Sequence, residues 1–212
     1  MPSMHQSVVD RIRQIGVIPV VRARSSDEAL AAVEAIRAGG IPILEMTLTV
    51  PGAIRIIAEL TRRLGDDALI GAGTVLDADA ARACIDAGAR FVVSPALDIP
   101  TIEICRALHV PVFPGALTPT EIVTAWKAGA TAVKLFPAGA VGGAAYLKSI
   151  KAPLPQIELI PTGGVSLKTA ADFIAAGAFA LGVGADLISG DSASITEKAR
   201  QYVAAVAAAR RG

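Results

Sequence analysis

The stretch "KAGATAVKLF" (residues 127–136) ends a helical pattern on Ala128-Gly129 and then opens an apolar, β-rich run. Three other stretches follow the same plan: "RAGGIPILEM" (37–46), "DAGARFVVSP" (86–95) and "AAGAFALGVG" (175–184). A glycine closing a helical run suits the left-handed position after a helix, and the apolar run behind it suits a strand. Between these four phrases lie "VIPVVR" (17–22), "ALIGAG" (68–73), "VPVFPG" (110–115) and "IELIPTGG" (157–164), which bring the expected strands to eight.

The segments between strands are amphipathic and of helix length. "SSDEALAAVEAIRAGG" opens on serines and acids that suit an N-cap and first turn, and closes on glycine. "TPTEIVTAWKAG" and "SLKTAADFIAAG" repeat the scheme, with Pro119 suited to a first helical turn. Alternating strands and helices imply parallel strands with right-handed crossovers, and strands apolar on both faces imply helices around them. Eight such units without a composition break predict a closed (β/α)8 TIM barrel. Val8, Val9, Ile12 and Ile15 fall at helical spacing and predict an extra N-terminal helix. No linker interrupts the chain, so residues 1–212 are expected to form a single domain.

Composition narrows the function. Hydrophobic residues make up 53% and charged residues 18%, with a net charge of +1 from 20 basic and 19 acidic residues spread along the chain. Nothing in that mixture reads as a basic stripe, and aromatic residues are only 4%, so a nucleic-acid partner is not expected. No run approaches the ~18 apolar residues of a membrane span, and the first residues lack a signal-peptide pattern. Cys84 and Cys105 have no CxxC partner and read as buried thiols in a reducing cytoplasm. With His5 and His109 the only histidines, a histidine-based metal site is not expected.

In a barrel of this kind, chemistry gathers at the C-terminal strand ends. The first expected strand ends in Arg22, the second carries Glu45 with Thr49 just beyond, and the third ends at Thr74. The sixth carries Lys134, the only one of six lysines placed in a strand. A buried lysine favours its neutral amine, which can attack a ketone to form a Schiff base. Glu45 can relay protons for that chemistry, and Arg22 can hold a carboxylate through two hydrogen bonds. The Thr74 hydroxyl either joins that carboxylate site or caps a turn. "PTGGVS" (161–166) sets the backbone amides of Gly163 and Gly164 before a helix expected near Ser166, a plausible phosphate cradle that Gly184 and Ala185 would border. The structural alternative for Lys134, Glu45 and Arg22 is a buried ion-pair brace. Glu158, at the start of its strand, belongs at the opposite end and reads as structural.

"LEMTLTVPGA" (44–53), "IGAGTV" (70–75), "FVVSPALD" (91–98), "VFPGALTPTE" (112–121), "AVKLFP" (132–137) and "IPTGGVS" (160–166) resemble, in order and spacing, the 2-keto-3-deoxy-6-phosphogluconate aldolases. These are class I enzymes of the Entner–Doudoroff route, many of them also 4-hydroxy-2-oxoglutarate aldolases. The resemblance runs from about Val17 to Ser189. It implies a Schiff base on Lys134, acid–base work by Glu45 through a water, and cleavage to pyruvate and glyceraldehyde 3-phosphate. It further implies a homotrimer that uses no metal or cofactor beyond the lysine imine.

Two departures stand out. Some members hold the pyruvate carboxylate with an arginine where this chain has Thr49, a role Arg22 can fill. A serine that usually helps bind phosphate is replaced here by Ala185, which leaves open a preference for another 2-keto-3-deoxy sugar acid, unphosphorylated or of galactonate configuration. Outside the aldolases, the competing readings are a phosphosugar isomerase, epimerase or decarboxylase, and a non-catalytic scaffold. "AVKLFP" lacks the Asp-x-Lys arrangement of the decarboxylases.

Overall fold

In the computed structural model, which describes residues 4–211, the Ala-Gly phrases separate helix from strand as expected. Gly40, Gly88, Gly129 and Gly177 adopt φ of 90°, 102°, 100° and 95°, a conformation that a side chain would strain. The helices are α1 (Met4–Ile15), α2 (Ser26–Ala38), α3 (Ala53–Leu64), α4 (Ala78–Asp86), α5 (Ile99–Ala107), α6 (Pro119–Ala128), α7 (Gly143–Lys151), α8 (Ala170–Ala175) and α9 (Ser192–Ala209). Their starts follow the chemistry of their first residues. Ser25 caps α2 by accepting from the Glu28 amide, and Thr118 with Glu121 forms a reciprocal capping box ahead of Pro119 on α6.

The strands are β1 (Val17–Val21), β2 (Ile43–Thr47), β3 (Leu69–Gly73), β4 (Val92–Val93), β5 (Val112–Phe113), β6 (Gly115–Ala116), β7 (Val133–Leu135), β8 (Leu159–Pro161) and β9 (Leu181–Val183). Every strand residue is buried, as a sheet with helices packed over it requires. One expected strand is split: Pro114 has no amide to donate, so β5 and β6 lie either side of it while its carbonyl accepts from the Lys134 amide at 2.9 Å.

All pairings are parallel, in the orders β5-β4-β3-β2-β1-β9 and β6-β7-β8. Just past β8, Thr162 forms a parallel bridge to Gly182 of β9. The result is an α/β fold around a curled parallel sheet. The buried apolar side chains form one continuous cluster that draws on strands and helices alike. Tyr202 of α9 is fully buried in it and donates its hydroxyl to Asp186 at 2.5 Å, tying down the loop after β9. Burial and that carboxylate push the phenol well above its ordinary pKa.

One helix differs from expectation. Ser166–Thr169 forms a turn, with the Thr169 amide on the Ser166 carbonyl and the Ser166 amide on the Thr169 hydroxyl. α8 therefore starts only at Ala170, and the amides of "PTGGVS" precede a turn, not a helix N-terminus. Among the described residues, no helix is long and apolar enough to cross a membrane.

Candidate active site

Lys134 is the middle residue of β7, in register with Gly115 of β6 and Ile160 of β8. Glu45 is the middle residue of β2, in register with Val20 of β1 and Gly71 of β3. The curl of the sheet brings these distant strands face to face. The Lys134 Nζ lies 3.8 Å from Glu45 Oε1, with each side chain only 3% exposed. Ile18, Val93, Phe113, Ile160, Thr162 and Gly182 complete a small, mostly apolar cavity around the pair. The Lys134 ammonium also sits 5.3 Å from the centroid of the Phe136 ring.

A distance of 3.8 Å allows Coulomb attraction but exceeds a hydrogen bond. Glu45 Oε1 is buried without any hydrogen-bond partner among the described residues. Burial raises the Glu45 pKa above the ordinary glutamate value, and the attraction of Lys134 and then Arg22 offsets this only in part. A brace would complete its hydrogen bonds, because an unfilled buried polar group costs about 1–3 kcal/mol. This pair leaves them open toward the cavity.

Arg22 follows β1 and is exposed; it makes no hydrogen bond or ion pair among the described residues, yet its charge reaches Glu45. The backbone just before it is tied to the neighbouring strand: Thr47 donates its hydroxyl to the Val21 carbonyl at 2.8 Å and shares a 2.8 Å hydrogen bond with Thr49. Thr49 is itself exposed, so the hydroxyl row Thr47–Thr49 runs outward beside Arg22.

Thr74 follows β3 with φ of 58°, a left-handed conformation that costs a β-branched residue about 1–2 kcal/mol. It does not cap α4, since Asp77 fills that role by accepting from the Ala80 amide. The Thr74 hydroxyl is without a partner among the described residues.

The distal loops come together beside Lys134. Gly163 and Gly164 have φ of 80° and 81°, and the Gly139 amide donates to the Gly163 carbonyl at 2.8 Å. A side-chain carbon at Gly164 would fall 2.8 Å from the Gly139 Cα, so only glycine fits there. At Gly184 the same carbon would meet nothing within 4 Å, and Ala185 beyond it is exposed.

Sequence reasoning missed Thr162. Its buried hydroxyl faces the cavity, with only a 3.4 Å contact to the Ile160 carbonyl of its own strand. The signal was the β7–β8 register, which places Thr162 two residues past the neighbour of Lys134 and which the sequence does not display. The wider clefts lie at the other end of the sheet, around His5, Arg106 and Trp126 and around Arg13, Glu158 and Arg210. No group of three or more His, Cys, Asp and Glu among the described residues is arranged to hold a metal ion.

The family model described as "Aldolase: KDPG and KHG aldolase" matches residues 8–206. A 2-dehydro-3-deoxy-phosphogluconate aldolase of Haemophilus influenzae is 34% identical over 170 residues, 80% of each chain. A 2-dehydro-3-deoxy-6-phosphogalactonate aldolase of Escherichia coli is 36% identical over 198 residues, 93% of this chain and 96% of its own. Among solved structures, the KDPG aldolase of Legionella pneumophila, captured with pyruvate as a covalent carbinolamine intermediate, superposes with a TM-score of 0.80 at 30% identity, covering 94% of this chain and 96% of its own. With a family match over nearly its whole length, this chain belongs to the KDPG and KHG aldolases, a family of carbon–carbon lyases.

Proposed function

We propose that the chain is a Schiff-base aldolase that cleaves 2-keto-3-deoxy-6-phosphogluconate to pyruvate and glyceraldehyde 3-phosphate, and 4-hydroxy-2-oxoglutarate to pyruvate and glyoxylate. The observation that carries the reading is the buried Lys134–Glu45 pair, 3.8 Å apart, whose Nζ and Oε1 have no hydrogen-bond partner among the described residues. A relative captured as a covalent carbinolamine with pyruvate supports the same chemistry.

In this mechanism the neutral Lys134 amine adds to the C2 ketone, and the new C–N bond gives a carbinolamine. Glu45, whose pKa burial raises, delivers a proton to the leaving hydroxyl, and water departs to leave an iminium. The Glu45 carboxylate then takes the proton of the C4 hydroxyl. The C3–C4 bond breaks, its electron pair moves into the iminium to form an enamine, and the aldehyde leaves. Protonation at C3 and hydrolysis of the imine release pyruvate and restore the amine. Because the iminium is the electron sink, the sequence of steps calls for no metal or organic cofactor.

Arg22 and the Thr74 hydroxyl take the substrate carboxylate, with Thr49 at the edge of that site. Neither group has a hydrogen-bond partner among the described residues, and a bidentate arginine suits a carboxylate. The amides of Gly163, Gly164 and Gly184 take the distal phosphate, beside Ala185. The 36% identical phosphogalactonate aldolase favours a second reading, the same reaction on the C4 epimer.

The rate of pyruvate release should be measured on both phosphorylated epimers, their unphosphorylated forms and 4-hydroxy-2-oxoglutarate. The highest kcat/KM is expected with 2-keto-3-deoxy-6-phosphogluconate. A maximum on the galactonate epimer moves the assignment to the second reading, and no release from any of them overturns both.

The curled sheet is read as a closed (β/α)8 barrel with α1 as an added N-terminal helix, and residues 1–212 as one domain, of which 1–3 and 212 lie outside the described residues. The support is the short step across Pro114 from β5 to β6 and the Thr162–Gly182 bridge between β8 and β9. Family resemblance supports a homotrimer, which light scattering in solution would test. The free, buried thiols Cys84 and Cys105 accord with a cytoplasmic protein.

A further inference from the structure

We infer that Gly73 is a positioning residue for Glu45, and that its missing side chain is the space in which the proton-transferring carboxylate lies. The inference rests on the acid–base role proposed for Glu45. Gly73 ends β3 in register with Thr47, two residues beyond Glu45 on β2. The Glu45 side chain leans along its strand and crosses the Gly73 Cα. A carbon added at Gly73 would lie 2.0 Å from Glu45 Oε1 and 2.4 Å from both its Cδ and Cγ.

Backbone conformation does not demand glycine here. Gly73 is not among the glycines with left-handed φ, so any residue could adopt its backbone, and only the carboxylate forbids a side chain. Gly71, two residues earlier, offers a contrast: a carbon there would meet the Phe91 ring at 2.2 Å. The first glycine of "GAG" makes room for hydrocarbon packing, and the second for a titrating group.

Because β3 is paired on one side with β2 and on the other with β4, the strand cannot yield to an added methyl as easily as a side chain can. The Glu45 carboxylate gives way instead. Oε1, the atom nearest the added carbon, is also the unpartnered atom facing Lys134, so the displacement acts on the atom that moves the proton.

The test is a double-mutant cycle of Gly73→Ala and Glu45→Gln in the full chain, read by steady-state turnover, with circular dichroism to check folding. G73A alone should lower kcat about a hundredfold, as misplacing a reacting group by about 1 Å does, with a smaller change in KM. In the E45Q background the same change should cost less than about threefold, because the proton transfer it disturbs is already gone. An equal loss in both backgrounds means that Gly73 acts through packing, and overturns the inference. So does G73A with wild-type kcat beside an impaired E45Q. If E45Q itself turns over at the wild-type rate, the acid–base role of Glu45 fails and the inference falls with it.

Discussion

Two lysines at opposite ends of the sheet have opposite surroundings. Lys151, at the end of α7, donates to the carbonyls of Pro155 at 2.8 Å and Ile157 at 3.0 Å, with Glu158 4.0 Å away. Lys134, on β7, is more deeply buried, and among the described residues its Nζ donates no hydrogen bond and faces Glu45 Oε1, which has none either. The rest of each end follows suit. Near Lys151, Arg13 pairs with Glu158 at 2.9 Å and lies over the Phe179 ring, while Arg210 donates to the carbonyls of Gln14 and Phe179. Near Lys134, Arg22 and Thr74 are unpartnered among the described residues. Charges whose bonds are filled by their own chain hold the fold together. The buried charges of Lys134 and Glu45 are left without such bonds among the described residues.

The contrast is sharpest if each lysine loses its charge. Lys134→Met should lower kcat by roughly a thousandfold or more while the far-UV circular dichroism stays unchanged, since the nucleophile is lost and a methionine fits an apolar cavity. Lys151→Met should leave kcat within about twofold, because its hydrogen bonds serve only the loop before β8. Comparable loss in both variants would erase the distinction.

Glu45→Gln comes next, with an expected loss of roughly 10²–10⁴-fold in kcat. Its stability should move the other way. Burial raises the Glu45 pKa in the folded state, so the group favours folding below its unfolded pKa, and that contribution is lost as pH rises through the raised value. A glutamine stays neutral throughout. The Tm of E45Q relative to the wild type should therefore rise from acid to neutral pH, and a difference that is flat with pH would show that folding does not raise the Glu45 pKa.

Arg22→Ala should cost about 1.5–3 kcal/mol of carboxylate binding, a tenfold to hundredfold fall in kcat/KM expressed mainly in KM. The smallest effect belongs to the far end. Glu158→Gln should change stability by about 1 kcal/mol or less and leave kcat untouched, since its pair with Arg13 is partly solvent-exposed. A marked fall in activity there would mean that the two ends are coupled.

The fold was largely legible because its punctuation is local. Glycine after each helix, caps such as Ser25 and Thr118, and apolar runs of strand length all act within a few residues. Lys134 stood out because a charge inside an apolar strand needs a reason, and Glu45 because it ends a similar run. What the sequence did not display depends on register and on contacts across the sheet. The place of Thr162 in the cavity follows from β7–β8 pairing, and the clash that reserves Gly73 for Glu45 follows from β2–β3 pairing. The left-handed backbone of Thr74 runs against its β-branched side chain, so local preference pointed away from it. Likewise α8 starts only at Ala170, after the Ser166–Thr169 turn in which the Ser166 amide donates to the Thr169 hydroxyl.

The claim that Lys134 is a nucleophile, not a brace, can be tested by incubating the protein with pyruvate and borohydride and mapping the modified peptide by mass spectrometry. The account predicts a reduced three-carbon adduct on Lys134, absent from the other five lysines and from K134M. An unmodified Lys134, or an adduct on Lys151 in its place, would contradict it.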